Sequence, residues 1–341
     1  MINTEVSNLI GEKTELTNGQ IFRRTFVFSW WRFLIDLLAL IVLAALTAGG
    51  YFISGKQLLG LGIGAVVGLI VFGLMVHFLT YLLKAGQIAM MTRGVTEGDL
   101  PDKVFDEGKR EVKERFLTVS AYFFVTSAIQ GIFRQISRGL TALGNLAGGD
   151  VGGGIGSVIG IAINTVVAYL GNCCLGWVFY RKSEGAFKST CEGAVLFFKN
   201  WKTLLRNLGR IFGMGIASFV VIGGAFAAIG YAILSQFPQI FKDVAITLEN
   251  SDGTTSNISD PTTAIIICSI VVAVILWAIL HNAFVRPFVL VGVLRNYMAA
   301  GIANMPEEGS FSKLDSISSK FAKMHEKART ETGTASPAAA G

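Results

Sequence analysis

The chain has 341 residues, of which 52% are hydrophobic and only 15% charged, with a formal net charge of +6. Soluble globular domains carry about 25% charged residues. The apolar surplus here lies in long blocks, which excludes an ordinary soluble domain and points to an integral membrane protein. The basic excess does not indicate nucleic acid, because Lys and Arg flank the apolar blocks and no nucleic-acid motif accompanies them.

About twenty apolar residues span a bilayer as a helix. The segment 1–19 is polar and carries no cleavable leader pattern, so the first apolar block is expected to stay as an anchor. Six blocks then predict spans at 29–52, 58–83, 117–133, 155–179, 211–235 and 264–291, with Pro287 expected to kink the last. The expected fold is an all-α polytopic helical bundle whose membrane domain covers 20–310. The region 311–341 is expected to be a cytoplasmic tail, amphipathic at first and disordered from Ala328.

Charge orients the spans. Seven Lys and Arg lie in 84–116, seven in 181–210 and six from Arg295 onward, whereas the remaining connections carry only Lys56, Arg134, Arg138 and Lys242. The positive-inside rule places both termini and both long basic connections in the cytoplasm. The loop from Gln236 to Thr262 has one Lys and four acids, as expected outside. It includes a glycosylation sequon at Asn257, a short pattern that matters only in a eukaryotic secretory membrane.

Three segments share a frame. "IFRRTFVFSWWRF" (from Ile21), "VFDEGKREVKERF" (from Val104) and "AFKSTCEGAVLFF" (from Ala186) each place two Phe eleven residues apart, and the frames begin 83 and 82 residues apart. Eleven residues is close to three helical turns, so each pair shares a face. The spacing predicts three repeated units, about 20–102, 103–184 and 185–310, each an amphipathic elbow helix followed by two spans. Val104, Gly108, Val112 and Phe116 fall on one face of the second elbow, with Asp106–Arg110 and Glu111–Arg115 expected as i,i+4 pairs on the other. Such helices are expected in the headgroup plane. Trp30, Trp31, Arg32, Arg115, Phe116, Trp201 and Lys202 are the expected interfacial, lipid-facing residues. Arg32 is also expected to pair with Asp36. A fourth frame, Phe311 to Phe321, precedes no span.

Small residues at four-residue spacing predict helix packing at Gly60, Gly64 and Gly68, at Gly156 and Gly160, and at Gly209 and Gly213. The run "GGDVGGGIG" from Gly148 reads as a flexible outer turn. It lacks the Lys-Ser/Thr of a phosphate loop.

Ionisable and polar residues inside spans are costly and therefore candidate functional groups. Asp36, His77, Asn172 and His281 fall about 6–10 Å to the cytoplasmic side of the expected midplane. With Asn282 and Arg286 they form a candidate intramembrane polar cluster that could bind a cation or pass a proton. The structural alternative has Asp36 paired with Arg32 and the histidines bonded to neighbouring helices. Cys173, Cys174, Cys191 and Cys268 lack metal-ligand spacing and read as packing residues. No nucleophile elbow, kinase set or zinc pattern is present.

The stretches "QIFRRTFVFSWWRFLIDLL" and "EGAFKSTCEGAVLFFKNWKTLLRNL" resemble the span-entry motifs of prokaryotic polytopic bundles, among them the membrane domain of glycerophosphodiester phosphodiesterases and Yip-type proteins. The resemblance implies a membrane fold in a prokaryotic plasma membrane and no activity, since nothing matches the catalytic domain. A fainter similarity, in "CCLGWVFYRKSEGAFKSTCEGAVLFFKN", is to the C-terminal half of choline-transporter-like proteins. The function expected is non-enzymatic: an accessory subunit that organises lipid or partner membrane proteins, or a homo-oligomer, without cofactor, metal or nucleic acid. The alternative is a small transporter or channel built on Asp36, His77 and His281.

Overall fold

The computed structural model describes residues 16–53, 57–116, 125–132, 135, 153–205, 208–241, 246–249, 255–258, 260–306 and 308–334. Apart from one short ribbon, every regular element among them is helical. Four helices are long and apolar enough to cross a membrane, Asn18–Ile53, Leu59–Thr96, Gly209–Leu234 and Pro261–Ala303. They contain four of the six expected blocks. By length and composition these helices are compatible with an integral membrane protein. The chain divides into two compact units, one of residues 1–209 with 287–341 and one of residues 210–286.

In the first unit α1 (Asn18–Ile53) and α2 (Gln57–Thr96) form an antiparallel hairpin. At about 1.5 Å per residue, 36 and 40 residues run about 54 and 60 Å, far beyond a hydrocarbon core of about 30 Å. Each helix must therefore leave the membrane at one end, and burial divides them accordingly. Leu38, Ile41, Phe52, Leu59, Ile63, Val66, Ile70, Leu74 and Phe78 are exposed, whereas Ile21, Phe28, Leu83, Ile88, Met90, Met91 and Val95 are buried. The apolar half is exposed, and the other half belongs to the buried core of the unit.

The close approach of α1 and α2 in their apolar half depends on glycine. A Cβ on Gly64 would stand 2.5 Å from the Leu46 carbonyl oxygen, and one on Gly68 would stand 2.7 Å from Leu43 Cδ1. Gly50 faces Gly60 and Gly64 from the other side. The expected ridge of Gly60, Gly64 and Gly68 thus packs on α1. Helix α2 ends at Gly98, whose φ of 75° is the left-handed stop that glycine adopts without steric cost.

Helix α3 (Val104–Arg115) follows with Asp106 and Glu107 in its first turn and Lys113 and Arg115 in its last, matching the helix dipole. Its apolar face is the one read from spacing, since Val104, Gly108, Val112 and Phe116 are all buried. That face does not meet lipid. A Cβ on Gly108 would strike Phe28 Cζ at 2.6 Å and the Gly86 oxygen at 3.0 Å, so α3 is pressed onto α1 and α2. Phe116 packs edge-on against Phe179 at 5.8 Å.

The rest of the unit comprises α4 (Gly153–Tyr180), α5 (Ala186–Leu205), the later helix Arg286–Ala303, the pair Glu308–Ile317 and Ser319–Thr334, and the helical stretch 125–132. The second half of α4 is buried from Tyr169 to Phe179, α5 from Ser189 to Phe197, and the later helix through Val289–Val291, Val293, Leu294, Tyr297 and Met298. Phe311, Leu314, Phe321, Met324 and Ala328 are buried too. The stretch 311–327, expected to be amphipathic, is helical with its apolar residues buried in the unit at helical spacing, and the last helix continues to Thr334, past the expected start of disorder at Ala328. Gly153 to Gly156, expected in a turn, open α4.

Of the third expected span, residues 125–132 are described, and they are not among the four helices long and apolar enough to cross a membrane. Val125, Ile129 and Ile132 are buried within the unit. Ser318 Oγ donates to Gln135 Oε1 at 2.5 Å, and Gln135 Nε2 donates to Ser319 Oγ at 3.3 Å. Gln135 and the start of the last helix share one side, whereas the expected topology puts them on opposite sides. The three Phe-framed segments also take three different forms. The first lies inside the unbroken α1, the second is a separate short helix, and the third lies within α5. No elbow interrupts α1 at Trp30–Arg32.

The second unit is a helical hairpin. Helix α6 (Leu208–Ser218) continues through a π turn, Phe219–Gly223, into α7 (Gly224–Leu234). A 3-10 turn, Pro238–Phe241, leads to an antiparallel ribbon, β1 (Ile246–Glu249) with β2 (Thr255–Ile258), in register Ile246 to Ile258 and Glu249 to Thr255. Helix α8 (Pro261–Leu280) returns beside α7. Asp260 caps it, accepting from the Thr262 and Thr263 backbone N–H groups, with Pro261 at the first helical position. A second π turn, His281–Val285, leads without interruption into α9 (Arg286–Ala303). Pro287 supplies the reason: it has no N–H to donate four residues back, and the Arg286 N–H bonds His281 O, five back. The expected disturbance at Pro287 therefore takes the form of a π turn. The last two helices are α10 (Glu308–Ile317) and α11 (Ser319–Thr334).

Candidate functional site

The six residues of the expected polar cluster divide between the units. Asp36, His77 and Asn172 lie in the first, and His281, Asn282 and Arg286 in the second. Among the described residues no hydrogen bond or ion pair links Asp36, His77 and Asn172 to one another. His77 is exposed, its ring edge-on to Phe78 at 5.2 Å. Asn172 is buried in α4 beside Cys173. Arg32 Nη1 donates to Gln87 Oε1 at 3.4 Å, the Arg32 charge also acts on Asp36 one turn on, and Asp36 Oδ1 is buried without a hydrogen-bond partner. Helix α2 thus gives Arg32 an amide partner in addition to the expected carboxylate. Gln87 in turn donates to Ser29 Oγ at 2.8 Å, a buried polar step between α1 and α2.

The interfacial set also divides. Trp30 and Trp31 are each 47% exposed, as an interfacial anchor requires. Arg115 is not lipid-facing. It donates to the Glu184 carbonyl at 2.7 Å and to Ser189 Oγ at 2.8 Å, at the start of α5. Phe116 is buried. The side chains of Trp201 and Lys202, and the packing of Gly156 and Gly160, lie outside the described residues. Gly209 and Gly213 meet nothing within 4 Å, so they do not form the expected packing ridge.

Charge in the first unit is concentrated where α3 meets the α4–α5 connection. Arg181 binds Glu192 through Nε–Oε2 at 3.0 Å, and Trp177 Nε1 donates to the same oxygen at 3.1 Å. Lys182 Nζ meets Glu111 Oε1 at 2.5 Å. Arg93 and Arg110 share Glu107 at 3.3 and 2.6 Å. The expected Asp106–Arg110 pair is replaced by Asp106–Lys109 at 3.3 Å, and Glu111 uses Lys182 from the α4–α5 connection. Lys188 donates to Glu184, and with Arg181 and Arg115 nearby it holds that carboxyl below its usual range. Glu111 and Glu192 are buried and each is paired with a basic residue, so this network fastens helices together. Cys173, Cys174 and Cys191 are buried free thiols, with Cys174 Sγ 3.6 Å from the Thr190 oxygen.

The second unit holds a smaller and different arrangement. Ser218 Oγ lies 2.8 Å from Gly215 O, 3.0 Å from His281 Nδ1 and 3.2 Å from Trp277 Nε1. The Trp277 ring lies 5.1 Å from the His281 ring and 5.0 Å from Phe219. Ser218 precedes the first π turn and His281 opens the second. Such turns are frequent at functional sites. Arg286 Nη1 donates to Asn282 Oδ1 at 3.4 Å. Of this group, His281, Asn282 and Arg286 were singled out from sequence, and Ser218 and Trp277 were not. Trp277 stands one helical turn before His281 in an apolar block, and that i,i+4 spacing was the available signal. Nothing in sequence marked Ser218 as its partner 63 residues away.

No protein-family model, curated protein or solved structure matches this chain.

Proposed function

We propose that this is a non-enzymatic, membrane-embedded accessory protein that organises lipid or partner membrane proteins. The observation that carries the reading is how little the spans are covered. In the four spanning helices only 6%, 17%, 6% and 28% of the most apolar window is buried within the chain. Surfaces so bare need lipid or other helices against them. The charged residues, by contrast, are largely used in tying the inner layer together. Of the expected polar cluster, the exposed His77 remains a candidate for contact with a partner or a lipid headgroup.

The reading places both termini and the inner layer in the cytoplasm of a prokaryotic plasma membrane. Four spans support this orientation well. The seven Lys and Arg of 84–116 and the seven of 181–210 then fall on one side, and the connections 54–56 and 235–260 carry only Lys56 and Lys242.

Native mass spectrometry of the protein gently extracted from its own membrane tests the role. A fixed stoichiometry with another membrane protein, or a defined set of retained lipids, is expected. Saturable solute flux by the purified protein alone in liposomes would overturn it and establish the transporter alternative.

A further inference from the structure

The three neighbours of Ser218 Oγ are not equivalent. An indole N–H only donates and a backbone carbonyl only accepts. Trp277 therefore fills one lone pair of Oγ. The single hydroxyl hydrogen then has two acceptors to choose between, Gly215 O at 2.8 Å and His281 Nδ1 at 3.0 Å. If it points to Nδ1, the imidazole carries its hydrogen on Nε2. If it points to Gly215 O, Nδ1 must itself carry a hydrogen and donate to Oγ. The second arrangement suits the Nδ1–H neutral ring and the imidazolium alike. No heavy atom has to move between them.

We propose that His281 is a reversible proton-binding site within the membrane span, with Ser218 as its rotating hydroxyl partner and Trp277 as the fixed donor that holds that hydroxyl in place. Uptake is balanced simply. The Ser218 hydroxyl turns from Nδ1 to Gly215 O, the vacated Nδ1 lone pair binds one proton, and the new N–H donates to Oγ. Release reverses both motions, and no other bond changes.

The surroundings fit a site that holds the charge without a carboxylate. The Trp277 ring centroid at 5.1 Å is within cation–π range of an imidazolium. On its own helix the charged neighbour is Arg286, bonded to Asn282. The facing helix places Ser218 and Phe219 at this level, with Arg210 near its start and Tyr231 near its end. Asp260 caps the far end of α8, about 21 residues or 30 Å away at 1.5 Å per residue.

The test is ring 15N NMR of histidine-labelled full-length protein in lipid nanodiscs, with the His281 signals identified by their loss in His281→Gln. A reversible change from a neutral to an imidazolium pattern is expected between about pH 4 and about pH 9. Ser218→Ala should keep the titration, change the neutral tautomer ratio and move the midpoint by about half a pH unit or more, the size of one lost hydrogen bond. Trp277→Phe should also move it. A His281 ring whose signals stay constant over that range overturns the proposal. So does a Ser218→Ala protein, shown folded by circular dichroism, with an unchanged tautomer ratio and midpoint.

Discussion

Arg181 and Glu192 meet through two bonds, Nε to Oε2 at 3.0 Å and Nη2 to Oε1 at 3.4 Å, eleven residues apart across the turn from α4 to α5. The buried Trp177 donates to the same carboxylate. Two groups thus depend on one side chain, and they clamp the end of α4 to α5. Glu192→Ala strands an indole N–H and a guanidinium, with an expected loss of about 3 kcal/mol. Glu192→Gln keeps an acceptor for Trp177 and should cost about 1–2 kcal/mol. Combining Glu192→Ala with Arg181→Ala should cost less than the sum of the two. Thermal unfolding in mild detergent measures all three.

Glycine positions separate real close approaches from spacing alone. Gly108→Ala forces a Cβ against Phe28 and the Gly86 carbonyl, and Gly64→Ala forces one against Leu46 O. Each should destabilise by about 1–3 kcal/mol. Gly213→Ala enters open space and should change stability by no more than about 0.5 kcal/mol. Equal losses at Gly213 and Gly64 would mean that the second ridge also packs.

The bonds of Gln135 to Ser318 and Ser319 predict a topology. In a variant lacking native cysteines, Gln135→Cys and Ser319→Cys should react with a membrane-impermeant maleimide from the same side of sealed vesicles. Labelling from opposite sides would restore the third crossing.

Two carboxyls predict an acid response. The Asp260 carboxyl lies below its usual range because the Thr263 hydroxyl and backbone N–H groups bond its charged form. Glu184 lies below its range chiefly through Lys188. A carboxyl lowered in the folded state stabilises it fully above the ordinary carboxyl pKa, and that contribution is lost as pH falls through the folded value. Hydrogen exchange at the Thr262 and Thr263 amides should therefore be pH-normal around neutrality and lose protection only in acid. Asp260→Ala should remove that protection at every pH, and Asp260→Asn should retain part of it.

Sequence patterning located what depends on local chemistry. The blocks at 29–52, 58–83, 211–235 and 264–291 each lie in a spanning helix, because apolar length is a property of the chain itself. The face of Val104, Gly108, Val112 and Phe116 followed from helical spacing, and the disturbance before Pro287 from a missing N–H.

What covers each apolar face was decided only in three dimensions. Val125, Ile129 and Ile132 look as greasy as Leu38, Ile41 and Phe52, yet the first group is buried in protein and the second is exposed. Hydrophobic burial is non-directional, so the sequence records that a face must leave water and not whether lipid, α2 or α5 receives it. The same holds for charge. Glu111 chose Lys182 over Arg115, and His281 met Ser218, through contacts whose partners lie 71 and 63 residues apart. Composition and spacing alone determined that the chain carries long apolar helices of membrane-spanning length. The tertiary packing decided which apolar faces stand exposed and which are buried among other helices, because only the folded chain brings distant segments together.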